Sequence, residues 1–193
     1  MHWTIGAKLS LFIFYTDVVV ILVGTFHSLI TIQPSDDILV TFWMGKNDRF
    51  YHISTICASS GPQQSRALPA VHAFSACHTF SVFNGKGKNL LWQAWLVYLE
   101  VTDTLVYLAD HPFQQLNLDN SLFHKLEGLT VIMYNNTSPL TCVNQTRCKL
   151  FYRRNRTMDK LSRTKDALLQ HVRCAVYQPG IWTVSCSCEW PKR

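Results

Sequence analysis

The chain has 193 residues, 48% of them hydrophobic and 16% charged, a balance that allows one ordinary core and reads as globular, not as a disordered chain. Its formal charge of +6 is uneven: residues 147–173 hold nine Lys/Arg against Asp159 and Asp166, a local balance of +7 that leaves the remainder at −1. Such a concentration suits a polyanion, and it equally suits a solvated helical surface. The seven cysteines are an odd number and too sparse for a disulfide scaffold, and Cys186-x-Cys188 lacks a second pair at metal-ligand spacing.

The N-terminal 1–14 segment is apolar and contains no acid. Lys8 followed by an apolar run to Tyr15 has the outline of a secretory leader, but no small-residue cleavage site follows. A membrane span over 9–32 would have to bury Asp17 at about 2.5–3.5 kcal/mol. The four Asn-x-Ser/Thr sequons at Asn135, Asn136, Asn144 and Asn155 matter only on export. An intracellular, nuclear or cytoplasmic chain is therefore expected, with a membrane-anchored or secreted non-enzyme as the alternative.

Asp17 is followed by Val18-Val19-Val20-Ile21-Leu22-Val23, a continuous β-branched run that predicts a strand covered on both faces, as in a parallel sheet. Gln33-Pro34-Ser35-Asp36 predicts a turn. A second strand is expected over 38–43 and a short third over 50–53, pairing back. Ser54 is expected to cap a short helix over 55–59 that Gly61-Pro62 ends. From Gln63 onward the pattern becomes helical, and Pro69 fits a first-turn position if the helix starts near Leu68. Asn84-Gly85-Lys86-Gly87-Lys88 predicts a tight turn. Helices are then expected over 90–99, with Trp92, Trp95 and Tyr98 in the core, and over 104–109, 121–134, 142–153 and 164–177. Gln178-Pro179-Gly180 should stop the last.

Three segments carry a likeness: Thr16-Asp17-Val18-Val19-Val20; Leu68-Pro69-Ala70-Val71-His72-Ala73-Phe74-Ser75-Ala76-Cys77-His78-Thr79 with Gly85-Lys86-Gly87-Lys88; and Val143-Asn144, Leu150-Phe151, Thr164-Lys165-Asp166-Ala167-Leu168-Leu169-Gln170-His171 and Ala175-Val176-Tyr177-Gln178. In this order they resemble a transposon-associated group of animal proteins, itself similar to the PIN-like, flap-endonuclease-type nucleases. The resemblance implies an α/β fold: an incomplete parallel-sheet PIN-like core followed by a mainly helical C-terminal extension. It divides the chain into 1–14, replacing a missing half; a remnant core over 15–100; a basic helical extension over 101–182; and a tail over 183–193.

Such nucleases cleave phosphodiesters with Mg²⁺ held by converging carboxylates, which fixes the acids a working site requires. Here the expected Asp-Thr-Asp reads Tyr15-Thr16-Asp17 and the expected Gly-Cys-Asp reads Ala76-Cys77-His78. Asp17 and His78 are the remnant catalytic positions and Asp17 the one candidate metal ligand. Little or no catalysis follows, and Mg²⁺ would be a cofactor only if activity were retained. DNA or RNA is the expected partner, held by Gly85, Lys86, Gly87 and Lys88 and by Arg153, Arg154, Arg156 and Lys160. An active nuclease completed by acids from another chain is the other alternative.

Overall fold

The computed structural model describes residues 8–13, 16–32, 37–42, 49–75, 83, 86–136, 139–152 and 161–187. The fold is α/β and mainly helical, with three strands and eight helices among the described residues. It divides into two compact units, Met1–Pro69 and Ala70–Arg193.

The first unit begins with strand β1 (Lys8–Ile13), helix α1 (Thr16–Ile32) and strand β2 (Asp37–Phe42). β1 and β2 pair in parallel from Lys8↔Asp37 to Ile13↔Phe42, so α1 is the crossover that parallel neighbours require. β3 (Arg49–His52) pairs antiparallel with β2, as expected of the short third strand. The strand expected over 17–23 is not formed: those residues open α1. Val19, Leu22, Val23, Phe26, Leu29 and Ile30 recur at steps of three and four and pack into one apolar core with Ile38, Val40, Ile53 and Cys57. A stripe of that length stabilises a helix more than β-branching disfavours it.

Helix α2 (Ile53–Ser60) follows with His52 at its N-cap and no side-chain cap. Ser54 does not cap it; its hydroxyl donates instead to Asp37 Oδ1 at 2.5 Å. Gly61 ends α2 at φ +78, donating its N–H to Cys57 O at 2.9 Å. Helix α3 (Pro62–Phe74) begins beside Gln63, where the helical pattern begins, and not near Leu68, so Pro69 lies in its interior and not in its first turn. The Pro69 ring lies where a side chain on Gly24 would stand: a Cβ there would be 2.3 Å from Pro69 Cγ. Gly24 thus lets α1 approach Pro69 at backbone distance.

The second unit is helical: α4 (Lys88–Val97), α5 (Val101–Asp110), α6 (Ser121–Tyr134), α7 (Val143–Tyr152) and α8 (Lys165–Ser187). α6 is central and packs against α4, α5, α7 and α8. Its N-cap is Asn120, whose side chain accepts from Leu122 N–H at 2.8 Å. Trp95 is buried and donates its indole N–H to Thr102 Oγ1 at 2.9 Å, whereas Trp92, expected in the core, is 40% exposed. α8 does not stop at Pro179. A Cβ on Gly180 would lie 2.1 Å from Pro112 Cβ, so the chain at Pro112 seats directly on the helix there. That packing holds α8 together across a proline that costs a free helix about 3 kcal/mol.

Candidate nucleic-acid interface

Asp17 stands in the first turn of α1, just beyond the carboxyl end of β1. That is where open α/β sheets place ligands, and also where an acid is favoured by the helix dipole alone. Among the described residues of this sheet the other carboxylate, Asp37, opens β2 at the opposite end of the register. Five residue steps at about 3.3 Å separate the two ends by about 16 Å, too far for both to reach one ion. Asp37 is also engaged, accepting from Ser54 Oγ and from His52 Nδ1 at 2.6 Å. Burial alone would raise its carboxyl; the bonds from Ser54 and His52 outweigh that and hold it below the ordinary range. His78 lies outside the described residues. Among the described residues no group of three or more His, Cys, Asp or Glu could hold a metal ion, so they do not fit a Mg²⁺ site. Cys57 is a packing residue, its thiol pushed up by burial against an opposing bond from Ser65. The Cys186-x-Cys188 pair includes Cys188, which is not described.

Of the glycine–lysine turn, Gly85 lies outside the described residues and Lys86, Gly87 and Lys88 are described. Lys86 N–H donates to Phe83 O at 2.9 Å. Gly87 is the N-cap of α4, extended at φ −78 and ψ 175, with no side-chain cap. An added Cβ would meet nothing within 4 Å, so neither backbone conformation nor packing demands glycine here. Lys86 reaches over the Tyr134 ring, its Nζ 5.1 Å from the centroid, and Lys88 is exposed. Lys86, Gln93, Tyr134, Asn135 and Asn136 line a cleft of about 310 Å³ between α4 and α6. Burial raises the Tyr134 hydroxyl, and the nearby charges of Arg163 and Arg147 oppose that.

The expected basic contacts Arg153, Arg154, Arg156 and Lys160 lie outside the described residues. The other cations of 147–173 divide by task. Arg173 donates to Leu116 O from Nε at 3.1 Å and from a terminal nitrogen at 2.6 Å. Lys165 Nζ lies 3.5 Å from Glu127 Oε2, and the Arg163 guanidinium lies over Phe83 at 5.2 Å. Arg147 donates to Ser162 O at 2.5 Å, while Lys149 is exposed. Part of this charge therefore ties the helices together and is not a free face.

Sequence reasoning missed two buried groups at the centre of this unit. Glu127 is 2% exposed and accepts from Val143 N–H at 2.9 Å as well as facing Lys165 and His124. His171 donates from Nε2 to Phe74 O at 2.9 Å and lies edge-on to Phe74 and Phe83. No sequence signal marked either, because each is defined by partners far along the chain. Among the described residues no helix is long and apolar enough to cross a membrane. Compared with protein-family models, curated proteins and solved structures, the chain matches none.

Proposed function

We propose that this chain is a degenerate, catalytically inactive nuclease-like domain, an incomplete PIN-like core with a helical extension, that binds nucleic acid by phosphate contacts without reading sequence. The carrying observation is the start of α4: Gly87 caps it without a side chain, and Lys86 and Lys88 flank it. The first N–H groups of a helix have no acceptor within it, and the helix dipole favours an anion there. Two lysines beside that end add charge that a phosphate neutralises. Loss of catalysis rests on the carboxylates: among the described residues no cluster of acids, histidines or cysteines that could hold an ion is present, and a two-ion clamp needs several carboxylates.

The test is fluorescence anisotropy with labelled duplex and single-stranded oligonucleotides across a salt series. Binding should weaken steeply with salt and vary little with sequence. Replacing Lys86 and Lys88 together by Gln should flatten the slope on duplex DNA by about 1.8 units if both touch phosphates, at about 0.9 per contact. With Mg²⁺ or Mn²⁺ the same oligonucleotides should remain intact. Binding by the double variant equal to wild type at every salt concentration would remove the phosphate contact, and cleavage abolished by Asp17→Ala would overturn the inactive reading.

A further inference from the structure

The last turn of α7 holds two large rings in solvent side by side. Phe151 is 59% exposed and Tyr152 83% exposed, with ring centroids 6.1 Å apart and planes inclined at 73°. Together with Arg147, Cys148 and Leu161 they line a cleft of about 170 Å³. α7 carries two cations, Arg147 and Lys149, and no acid. The Arg147 bond to Ser162 runs to a neutral carbonyl, which leaves the guanidinium charge in place beside the rings. Exposed aromatic rings with cations beside them are what single-stranded nucleic-acid binders use: the rings stack on bases and the cations follow the backbone.

We infer that the end of α7 is a stacking platform for the bases of a single strand, with Arg147 and Lys149 meeting its phosphates. A duplex cannot use it, because its base faces are already stacked on one another. A lipid surface fits less well. It is met by a broad apolar face, whereas the exposed side chains elsewhere on α7 include Asn144, Gln145 and Lys149, all polar. This inference rests on the nucleic-acid reading above and narrows it to single strands and to one place.

The experiment uses the full chain and a single strand carrying 2-aminopurine, with a duplex of the same sequence beside it. Binding should quench the 2-aminopurine, and replacing Phe151 and Tyr152 together by Ala should remove the quench. The same double variant should weaken single-strand binding by roughly 5- to 150-fold for each base that stacks, and leave duplex binding unchanged. On the wild-type chain, alkylation of Cys148 should slow when the strand is present, while that of Cys174, exposed on α8, should not. If no strand binds, this inference and the phosphate reading both fall. If the strand binds and depends on Lys86 and Lys88, yet the ring variant matches wild type or Cys148 stays unprotected, the platform alone is overturned. Loss of duplex binding to the same degree would overturn it too, as would Cys148 protection by anionic vesicles and not by the strand.

Discussion

The two units are held by different chemistry. In Met1–Pro69 the buried centre is apolar: Val23, Phe26, Ile38, Val40, Ile53 and Cys57 meet there, and Asp37, a carboxylate held by hydrogen bonds, sits at the start of the central strand. In Ala70–Arg193 charge enters the core, with Glu127 bridging α6 to the starts of α7 and α8 and His171 buried between two phenylalanines. An apolar core loses stability in proportion to volume mismatch and is indifferent to pH. A core with buried ionisable groups depends on each partner remaining in place and on the protonation state of the group.

The largest expected effect is therefore at Glu127. Its carboxylate accepts from the Val143 backbone at 2.9 Å and faces Lys165 at 3.5 Å, with 3% of its side chain exposed. Glu127→Ala removes the anion, leaves the Val143 N–H without an acceptor and opens a void. A loss of about 3–5 kcal/mol is expected in urea unfolding followed by circular dichroism. Glu127→Gln keeps the shape and one acceptor and should lose less. An alanine variant as stable as wild type would mean that this unit is held by its apolar packing alone, like the first.

The second effect tests the apolar unit by overfilling it. Gly24→Ala places a methyl 2.3 Å from Pro69 Cγ and 2.8 Å from Pro69 Cδ, atoms of a rigid ring. α1 would have to move, at a cost of about 1–3 kcal/mol. Alanine also raises the helix propensity of α1 by about 1 kcal/mol, so the clash wins only in part. A variant more stable than wild type would show that α1 shifts freely and that its seat on Pro69 is loose.

The same division governs what could be read from the sequence. The helix expected over 121–134 matches α6 at its observed bounds. The α2 stop was legible from Gly61-Pro62, where a positive φ and a helix-opening proline act locally. α1 was misread because Val18-Val19-Val20 favours a strand over a few residues, while the deciding stripe to Ile30 shows only over a longer window. α8 was cut short at Pro179 because the contact that carries it through, Gly180 against Pro112, joins residues far apart in the chain. The candidate site was legible in part. Lys86, Gly87 and Lys88 do open a helix, whereas the exposure of Phe151 and Tyr152 is a fact of packing that composition does not disclose.

The smallest effect separates the units by pH. Burial holds His171 below its ordinary value, reinforced by the Arg163 charge and opposed by the bond to Phe74 O. Its Nδ1 is buried without a hydrogen-bond partner, so protonation there would place a bare cation among aromatic rings. In the unfolded chain the same imidazole takes a proton near pH 6.5. Above that value both states are neutral and His171 contributes no pH dependence. As pH falls below it the unfolded state binds a proton that the folded state refuses, and stability drops by up to about 1.4 kcal/mol per pH unit until the lower folded value is reached. His171→Gln retains a donor for Phe74 O and does not titrate, so its urea midpoint should fall less than that of wild type between pH 7 and pH 5. The first unit's apolar cluster contains no carboxylate or imidazole, although His27 packs edge-on against Phe26 at its border. Parallel pH profiles for wild type and His171→Gln would mean that this histidine charges freely in the fold.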